Sequence, residues 1–379
     1  MIRKLIRTLH LQAIAQKTVQ LPFGLLMTIL ILSLIGFVLM YSAAGGDISP
    51  WANRQMLHFA LFLPVMLLIA MIDTRFWFRH AYTIYVICIL LLLLVAIQGH
   101  TAMGATRWIN LGFFKLQPSE LVKISVVLAL ARYFHRLGSE RVKDIGALIP
   151  PLGIIFVPFL LILKQPDLGT ALTLLMVGGA MFWIAGVRLW KFVLVICLAI
   201  AVCPLIWFSG KLHDYQKNRI ITFLNPEHDP LDTGYNIIQS KIAIGSGGLF
   251  GKGLLQGSQS QLSFLPEHQT DFIFTMFAEE FGFFGVLVLL TLYSILLLYG
   301  TMIAFRCRHY FGKLLAMGLT TLFFLHIFIN IAMVMGLIPV VGAPLPLLSY
   351  GGTIMMATLI GFGLIMNSHL HRFTTLSSQ

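Results

Sequence analysis

The sequence predicts an all-α polytopic membrane protein with about ten transmembrane helices. Hydrophobic residues make up 58% of the 379-residue chain and charged residues only 11%, which is more apolar surface than a soluble domain of this length can bury. The apolar residues are also grouped into separate runs that approach the ~20 residues a helix needs to cross a bilayer. Together these two observations predict a bundle of membrane-spanning helices.

Ten apolar runs follow one another along the chain, and most of the connections between them are short. The predicted spans are Leu21–Tyr41, Leu57–Ile72, Ala81–Ile97, Leu121–Phe134, Ala147–Leu163, Leu168–Gly186, Phe192–Phe208, Phe283–Phe305, Leu314–Leu337 and Ile354–Asn367. We treat residues 1–379 as one transmembrane domain. An even number of spans places both termini on the same side of the membrane.

The distribution of basic residues predicts that both termini are cytoplasmic. Segments on the side of the termini are short and carry sixteen of the 26 Lys and Arg residues. Half of the remaining basic residues lie in one long loop, which counts little in the positive-inside rule. We therefore attribute most of the net charge of +12 to membrane topology, and we predict no nucleic-acid partner.

Three longer segments lie on the opposite side, which this orientation makes the periplasmic side. They are Gln98 to Gln117, the long loop 209–270 between the seventh and eighth predicted spans, and the Pro/Gly-rich segment 338–352. Irregular backbone at membrane depth is tolerated only where protein buries it or water reaches it. We therefore predict that segment 338–352 forms part of a cavity wall.

Asp271 ends the long loop and directly precedes an apolar run. An acid at this depth is a functional-site hypothesis by default. Helix capping by Thr270 or Asp271 is the competing interpretation, and position alone does not decide between them. We also predict a short interfacial helix Asp271–Phe281 that is broken at Gly282, because this keeps Glu279 and Glu280 near the outer surface.

Several outer residues have side chains that bind phosphates: Arg107, Lys115, Lys123, Lys241 and Lys252. Closely spaced glycines at 245–253 could let backbone N–H groups approach an anion, although they match neither a Walker loop nor a Rossmann fingerprint. Glu120 lies three residues before Lys123, so a simple ion pair is an alternative for both. Glu120 and Asp167 also suit helix starts. A lone acid beside cations fits a lipid-linked phosphate or pyrophosphate, with the acid as general base.

Six blocks of sequence resemble the signature blocks of the SEDS family (shape, elongation, division and sporulation). They are the segments 107–120, 165–170, 213–216, 234–248, 264–274 and 344–352. The similarity runs essentially from end to end, and Gln165 to Thr170 favours the elongation branch of the family over its division branch. One small departure is Gln269, where many relatives have Arg or Ala.

The resemblance implies a peptidoglycan glycosyltransferase that polymerises lipid II at the outer face of the bacterial inner membrane, with Asp271 as the essential group. It also implies a class B penicillin-binding protein and elongation-complex proteins as partners. We assign to substrate binding Arg107, Trp108, Lys115, Glu120, Lys123, Lys241, Lys252, Glu267 and Ser349. A divalent cation, Mg²⁺ or Mn²⁺, is expected at Asp271 and Glu267, because carboxylates offer it hard oxygen ligands.

The expected reaction is a single displacement with inversion, in which Asp271 deprotonates the acceptor hydroxyl and undecaprenyl pyrophosphate leaves. Two other classes of function remain open, a lipid II flippase and a non-catalytic scaffold for the crosslinking partner. A flippase needs a hydrophilic path through both leaflets, whereas the predicted spans contain few charges and the cytoplasmic loops are short. This asymmetry favours the enzyme, and the division branch of the family would share its chemistry.

Overall fold

The computed structural model describes residues 20–98, 100–102, 105–110, 112, 115–208, 217, 221–225, 233–258 and 269–376. Long α-helices dominate these ranges. In chain order they are α1 (Phe23–Ala43), α2 (Ala52–Met71), α3 (Thr74–Gln98), α4 (Pro118–Arg141), α5 (Ile149–Lys164), α6 (Leu168–Ile184), α7 (Leu189–Phe208), α8 (Thr233–Ser246), α9 (Ile273–Arg306), α10 (Tyr310–Val334) and α11 (Gly352–Leu370). A 3₁₀ turn, Gly146–Leu148, leads into α5.

Each predicted span coincides with one of these helices, so the all-α multi-pass fold is confirmed. Seven helices in the described ranges are long and apolar enough to cross a membrane: α1, α2, α3, α5 with its 3₁₀ turn, α9, α10 and α11. The helix α6 has only 17 residues, and α4 carries acidic and basic side chains within its length. The number of ten crossings therefore stays a prediction.

The bundle is organised around α10 and α11. In the apolar window of these two helices 72% and 83% of residues are buried, against 22% in α3 and 28% in α5. The helices α3 and α5 therefore lie at the periphery, where their apolar side chains face outward as expected for contact with lipid. Mean hydropathy is correspondingly lower in α10 and α11, at 2.0 and 1.4, than in α3 and α5, at 2.5 and 2.4.

The break predicted at Gly282 is present within α9. Gly282 has φ 64° and ψ −165°, a conformation that is open essentially only to glycine. The backbone of residues 248–253 lies against it, with the Phe283 N–H donating to the Gly248 carbonyl at 2.9 Å and the Lys252 N–H to the Glu279 carbonyl at 3.0 Å. The glycine-rich run thus serves a close backbone approach, and the N–H groups of Lys252 and Gly253 donate to α9.

Two details of this region differ from the prediction. The helix begins at Ile273 rather than at Asp271. Glu279 and Glu280 are 0% and 1% exposed, so they avoid hydrocarbon by burial inside the protein and not by exposure at the interface. Lys252 lies 2.7 Å from Glu279, and Glu280 accepts hydrogen bonds from the Ser42 hydroxyl and the Leu255 N–H. Partners distant in sequence made this burial possible.

We expect Gly282→Ala to destabilise the protein strongly. An added Cβ would overlap the backbone nitrogen of Gly251, and the backbone conformation itself costs about 1–3 kcal/mol for a residue with a side chain. Gly179→Ala in α6 is the matched control, because nothing lies within 4 Å of its added Cβ. Thermal unfolding in detergent checks both. Equal melting temperatures for the two variants would contradict the role of Gly282.

Two outer segments predicted as loops contain regular structure. A small antiparallel sheet, in the order β1 (His100–Ala102), β2 (Ala105–Asn110) and β3 (Lys115–Leu116), precedes α4. Within loop 209–270, α8 packs on the bundle, and its Ser240 hydroxyl lies 2.7 Å from the Thr275 hydroxyl and 2.8 Å from the Val334 carbonyl. The boundaries of the long loop as a unit stay a prediction.

Candidate active site

The Pro/Gly-rich segment 338–352 lies directly against the residues that precede α9. The Ser349 hydroxyl donates to the Thr270 carbonyl at 2.6 Å and accepts from the Leu345 N–H at 2.7 Å. The Tyr350 N–H donates to the Gln269 carbonyl at 2.9 Å. Ser349 is 1% exposed, so this structure uses its hydroxyl to join the two segments, and its role in substrate binding stays a prediction.

Asn330 of α10 fixes the backbone of Asp271 itself. Its side-chain amide donates to the Asp271 carbonyl at 2.8 Å and to the Ala343 carbonyl at 2.6 Å, and the residue is fully buried. Sequence reasoning missed Asn330. The available signal was an amide inside the predicted span Leu314–Leu337, where an unsatisfied polar group is costly.

The Asp271 carboxylate faces the glycine at position 342. Gly342 has φ 69°, and a Cβ added there would lie 3.1 Å from Asp271 Oδ2. Asp271 is partly exposed, and the N-cap of α9 is Phe272, which makes no side-chain capping bond. Asp271 therefore precedes the cap position, and this placement weakens the capping interpretation left open by the sequence.

The amide of Asn330 should matter for catalysis as well as for stability. We expect Asn330→Ala to lower both the melting temperature and the glycan-polymerising rate that the family resemblance implies, because it removes the hydrogen bonds to the Asp271 carbonyl and to the buried Ala343 carbonyl, at a cost of about 1–3 kcal/mol. Asn367→Ala is a matched control, since that buried amide also donates to backbone carbonyls, those of Ile69, Ala70 and Ile72. A similar rate loss in both variants would show a merely structural role.

Arg107 is held against the turn before α6. Its guanidinium donates to the carbonyls of Gln165, at 3.1 Å, and Pro166, and it lies 3.9 Å from the Asp167 carboxylate. Asp167 in turn caps α6, since its carboxylate accepts from the Thr170 N–H at 3.3 Å and the Thr170 hydroxyl at 2.9 Å. The capping interpretation of Asp167 is confirmed, and Arg107 retains 29% exposure of its side chain.

Lys123 and Glu120 form a buried ion pair. The Lys123 ammonium lies 2.8 Å from Glu120 Oε1 and 2.8 Å from His326 Nε2, and Lys123 is only 2% exposed. Because an ammonium only donates, Nε2 accepts and the imidazole proton resides on Nδ1. The sequence alternative of an intrahelical ion pair is therefore present, and His326 is a further member of this cluster that sequence reasoning missed.

The remaining lysines predicted to bind phosphate differ in whether an acid of this chain already pairs with them. Lys252 is paired with Glu279 at 2.7 Å and also donates to the Ser258 hydroxyl at 2.8 Å. Lys115 and Lys241 are exposed. Lys115 lies in β3, which the Thr353 hydroxyl joins to the start of α11 through the Lys115 carbonyl.

Three other residues predicted to bind substrate are Lys241, Trp108 and Glu267. The Lys241 amine lies beside Gly336, just before the Pro/Gly-rich segment. Trp108 is partly buried in β2. Glu267 lies outside the described residues. The described part of the chain contains no group of three or more His, Cys, Asp or Glu side chains that could hold a metal ion.

This fold is that of a multi-pass membrane protein, in which Asp271 and the exposed Lys115 and Lys241 lie on segments at the same end of the helical bundle. Residues 23–374 match the family model of the FtsW, RodA and SpoVE cell cycle proteins, and the chain belongs to this family. It is 44% identical over 356 residues to the peptidoglycan glycosyltransferase MrdB of Escherichia coli (strain K12), covering 93% of this chain and 95% of the relative.

Solved structures show the same fold. A chain from a study of the structural coordination of polymerization and crosslinking by a peptidoglycan synthase complex superimposes with a TM-score of 0.80 and 31% identity, covering 94% of this chain and 99% of the other. The crystal structure of the Rod shape determining protein RodA of Thermus thermophilus superimposes with a TM-score of 0.71 and 29% identity, covering 94% and 98%. The predicted family is confirmed.

Proposed function

We propose that this protein is a peptidoglycan glycosyltransferase that polymerises lipid II into β-1,4-linked glycan strands during cell elongation. Membership of the FtsW/RodA/SpoVE family and the similarity to a relative named as a peptidoglycan glycosyltransferase support this activity. The observation that carries the site assignment is the position of Asp271, whose backbone is held by Asn330 and whose carboxylate faces Gly342.

In the proposed reaction Asp271 accepts the proton of the 4-hydroxyl on the acceptor's N-acetylglucosamine. The freed oxygen attacks the anomeric carbon of a second lipid-linked saccharide and forms the glycosidic bond with inversion. The bond from that carbon to the pyrophosphate oxygen breaks, and undecaprenyl pyrophosphate leaves with the electron pair. One base suffices for this displacement, by analogy with the base of inverting glycosidases.

Exposed cations would stabilise the pyrophosphate as it departs. Lys115, Lys241 and the partly exposed Arg107 are the strongest candidates, because fixed cations act most where charge develops. Lys123 and Lys252 each lie in an ion pair with a glutamate. We propose that these two lysines stabilise the local structure of the site. Their direct contact with substrate, which the sequence predicts, stays a prediction.

A divalent cation, Mg²⁺ or Mn²⁺, remains part of the proposal. Asp271 can supply one carboxylate, and Glu267 would be the second. Mg²⁺ typically binds through one or two carboxylates together with substrate phosphates, so the site does not need a complete protein cage. When bound, the cation would neutralise phosphate charge. The steps proposed above require only residues of this chain.

We place the active site on the periplasmic side of the bacterial inner membrane, on the basis of the positive-inside distribution of Lys and Arg. We also propose a class B penicillin-binding protein and elongation-complex proteins as partners. Similarity to a chain of a peptidoglycan synthase complex that couples polymerization to crosslinking supports the first of these. The division paralogue is the alternative with the same chemistry, and rescue of cell shape in elongation-deficient cells, but not of division, distinguishes the two.

The activity is tested with purified protein and lipid II in detergent. Transport across a membrane cannot be measured there, so any product reports polymerisation alone. We expect glycan polymer to appear over time, alone or with the crosslinking partner added. A parallel reaction with a metal chelator, then with Mg²⁺ or Mn²⁺ restored, tests the cation. Transport of lipid II across vesicles without polymer formation would favour the flippase, and polymer made only by the partner would favour the scaffold.

A further inference from the structure

Basic side chains converge on one cavity at the end of the bundle opposite Asp271, and the proposed reaction does not use them. The cavity has a volume of about 520 Å³ and is lined by Arg75, Phe78, Arg79, Arg132, Arg136, Thr375 and Leu376. Membrane topology explains why arginines lie at this end. It does not explain why four of them surround a single cavity.

The convergence arises from the spacing of these residues on two neighbouring helices. Arg75, Phe78, Arg79 and Tyr82 repeat at intervals of three and four residues at the start of α3, so they share one face of that helix. Arg132 and Arg136 are four residues apart near the end of α4 and likewise share a face. These two helix ends meet where Arg132 donates to the Arg79 carbonyl at 2.7 Å.

The guanidinium of Arg132 is already fixed in place. Its carbon lies 4.5 Å from the centre of the Tyr82 ring and 5.4 Å from that of the Phe78 ring, within cation–π distance of both. Its Nε is buried and has no hydrogen-bond acceptor among the described residues. A pre-positioned side chain loses less entropy when a ligand binds. An unsatisfied buried donor favours a ligand that can accept its hydrogen bond.

The described lining of the cavity carries four guanidinium groups, those of Arg75, Arg79, Arg132 and Arg136. No Asp or Glu is among its described lining residues. None of the ion pairs found in the described ranges includes Arg75, Arg79 or Arg132. Like charges gathered in this way repel each other, and an anionic ligand would remove that cost.

We propose that this cavity binds the phosphate-bearing head group of an anionic phospholipid, in the leaflet opposite Asp271. Arginine forks match phosphate oxygens in a bidentate geometry, and basic pockets between transmembrane helices bind such head groups. A lipid is favoured over free phosphate because Phe78 and Leu376 also line the cavity, and α3 continues from it with Val86 and Leu90 more than half exposed.

The test measures lipid binding by native mass spectrometry of the protein purified in detergent. Phosphatidylglycerol is compared with phosphatidylcholine of the same acyl chains, and inorganic phosphate forms a third arm. The variant combines Arg75→Gln, Arg79→Gln and Arg132→Gln. Its control combines Arg141→Gln, Lys143→Gln and Arg188→Gln, which removes the same three charges from exposed positions at the same end of the bundle and outside the cavity.

We expect the protein and the control variant to bind one phosphatidylglycerol tightly, and the cavity variant to bind it about 100-fold more weakly. Arg75→Gln alone should weaken binding several-fold. Because Arg75 is exposed, this single variant should fold, and it replaces the triple variant if that one does not fold. Equal binding by the cavity and control variants would overturn the proposal. So would saturation by inorganic phosphate at the same concentrations, or equal binding of phosphatidylcholine. Each of these results leaves the proposed polymerase activity untouched.

Discussion

Asp271→Asn is expected to reduce polymerisation of lipid II by roughly 10²–10⁴-fold while leaving the fold intact. The amide has nearly the same shape as the carboxylate but cannot accept the proton of the acceptor hydroxyl. The Asn330 amide donates to the backbone carbonyl of Asp271, and the substitution leaves this hydrogen bond in place. The measurement is the rate of glycan formation by purified protein, together with its melting temperature.

A matched control for Asp271→Asn is Asp47→Asn, which removes an exposed carboxylate from the connection between α1 and α2. We expect this variant to polymerise at the rate of the unchanged protein. Turnover by Asp271→Asn at a similar rate would remove the general base from the mechanism. A lowered melting temperature of that variant would instead indicate that the carboxylate mainly holds the start of α9.

The second large effect is expected at the buried pair of Glu120 and Lys123. Glu120→Gln or Lys123→Met should each destabilise the protein by about 3–5 kcal/mol, because removal of one partner leaves the other charge buried without compensation. The measurement is thermal unfolding in detergent. Glu140→Gln is the control, at an exposed position just after the break at Gly138 in α4, and it should change stability by no more than about 0.5 kcal/mol.

The double variant Glu120→Gln with Lys123→Met separates stability from catalysis. It removes both charges, so we expect it to recover much of the stability lost in either single variant. A stable double variant with a low polymerisation rate would support the predicted role of Glu120 and Lys123, taken together, in substrate binding. Single variants as stable as the unchanged protein would contradict the buried ion pair with His326 as its third member.

The break in α9 shows which features the local sequence predicts and which depend on tertiary contacts. The sequence predicts the break at Gly282 because the apolar run Phe272 to Phe305 is too long for one perpendicular span and would place Glu279 and Glu280 inside hydrocarbon. The structure adds the reason why only glycine fits, since the backbone of residues 248–253 lies against it. It also shows that Glu279 and Glu280 are buried, because Lys252 and Ser42 reach them from elsewhere in the chain.

The sequence by itself determined the membrane class, the order of the helices and the family, because composition, apolar run length and motif spacing are local properties. It also predicted Asp271 as the essential group, through the family resemblance. Only the tertiary structure decided what surrounds that acid. Ser349 meets Thr270 across 79 positions of the chain, and Lys123 meets His326 across 203. Such contacts depend on how apolar helices pack together, and helices that are apolar on every face carry no periodic signal of their neighbours.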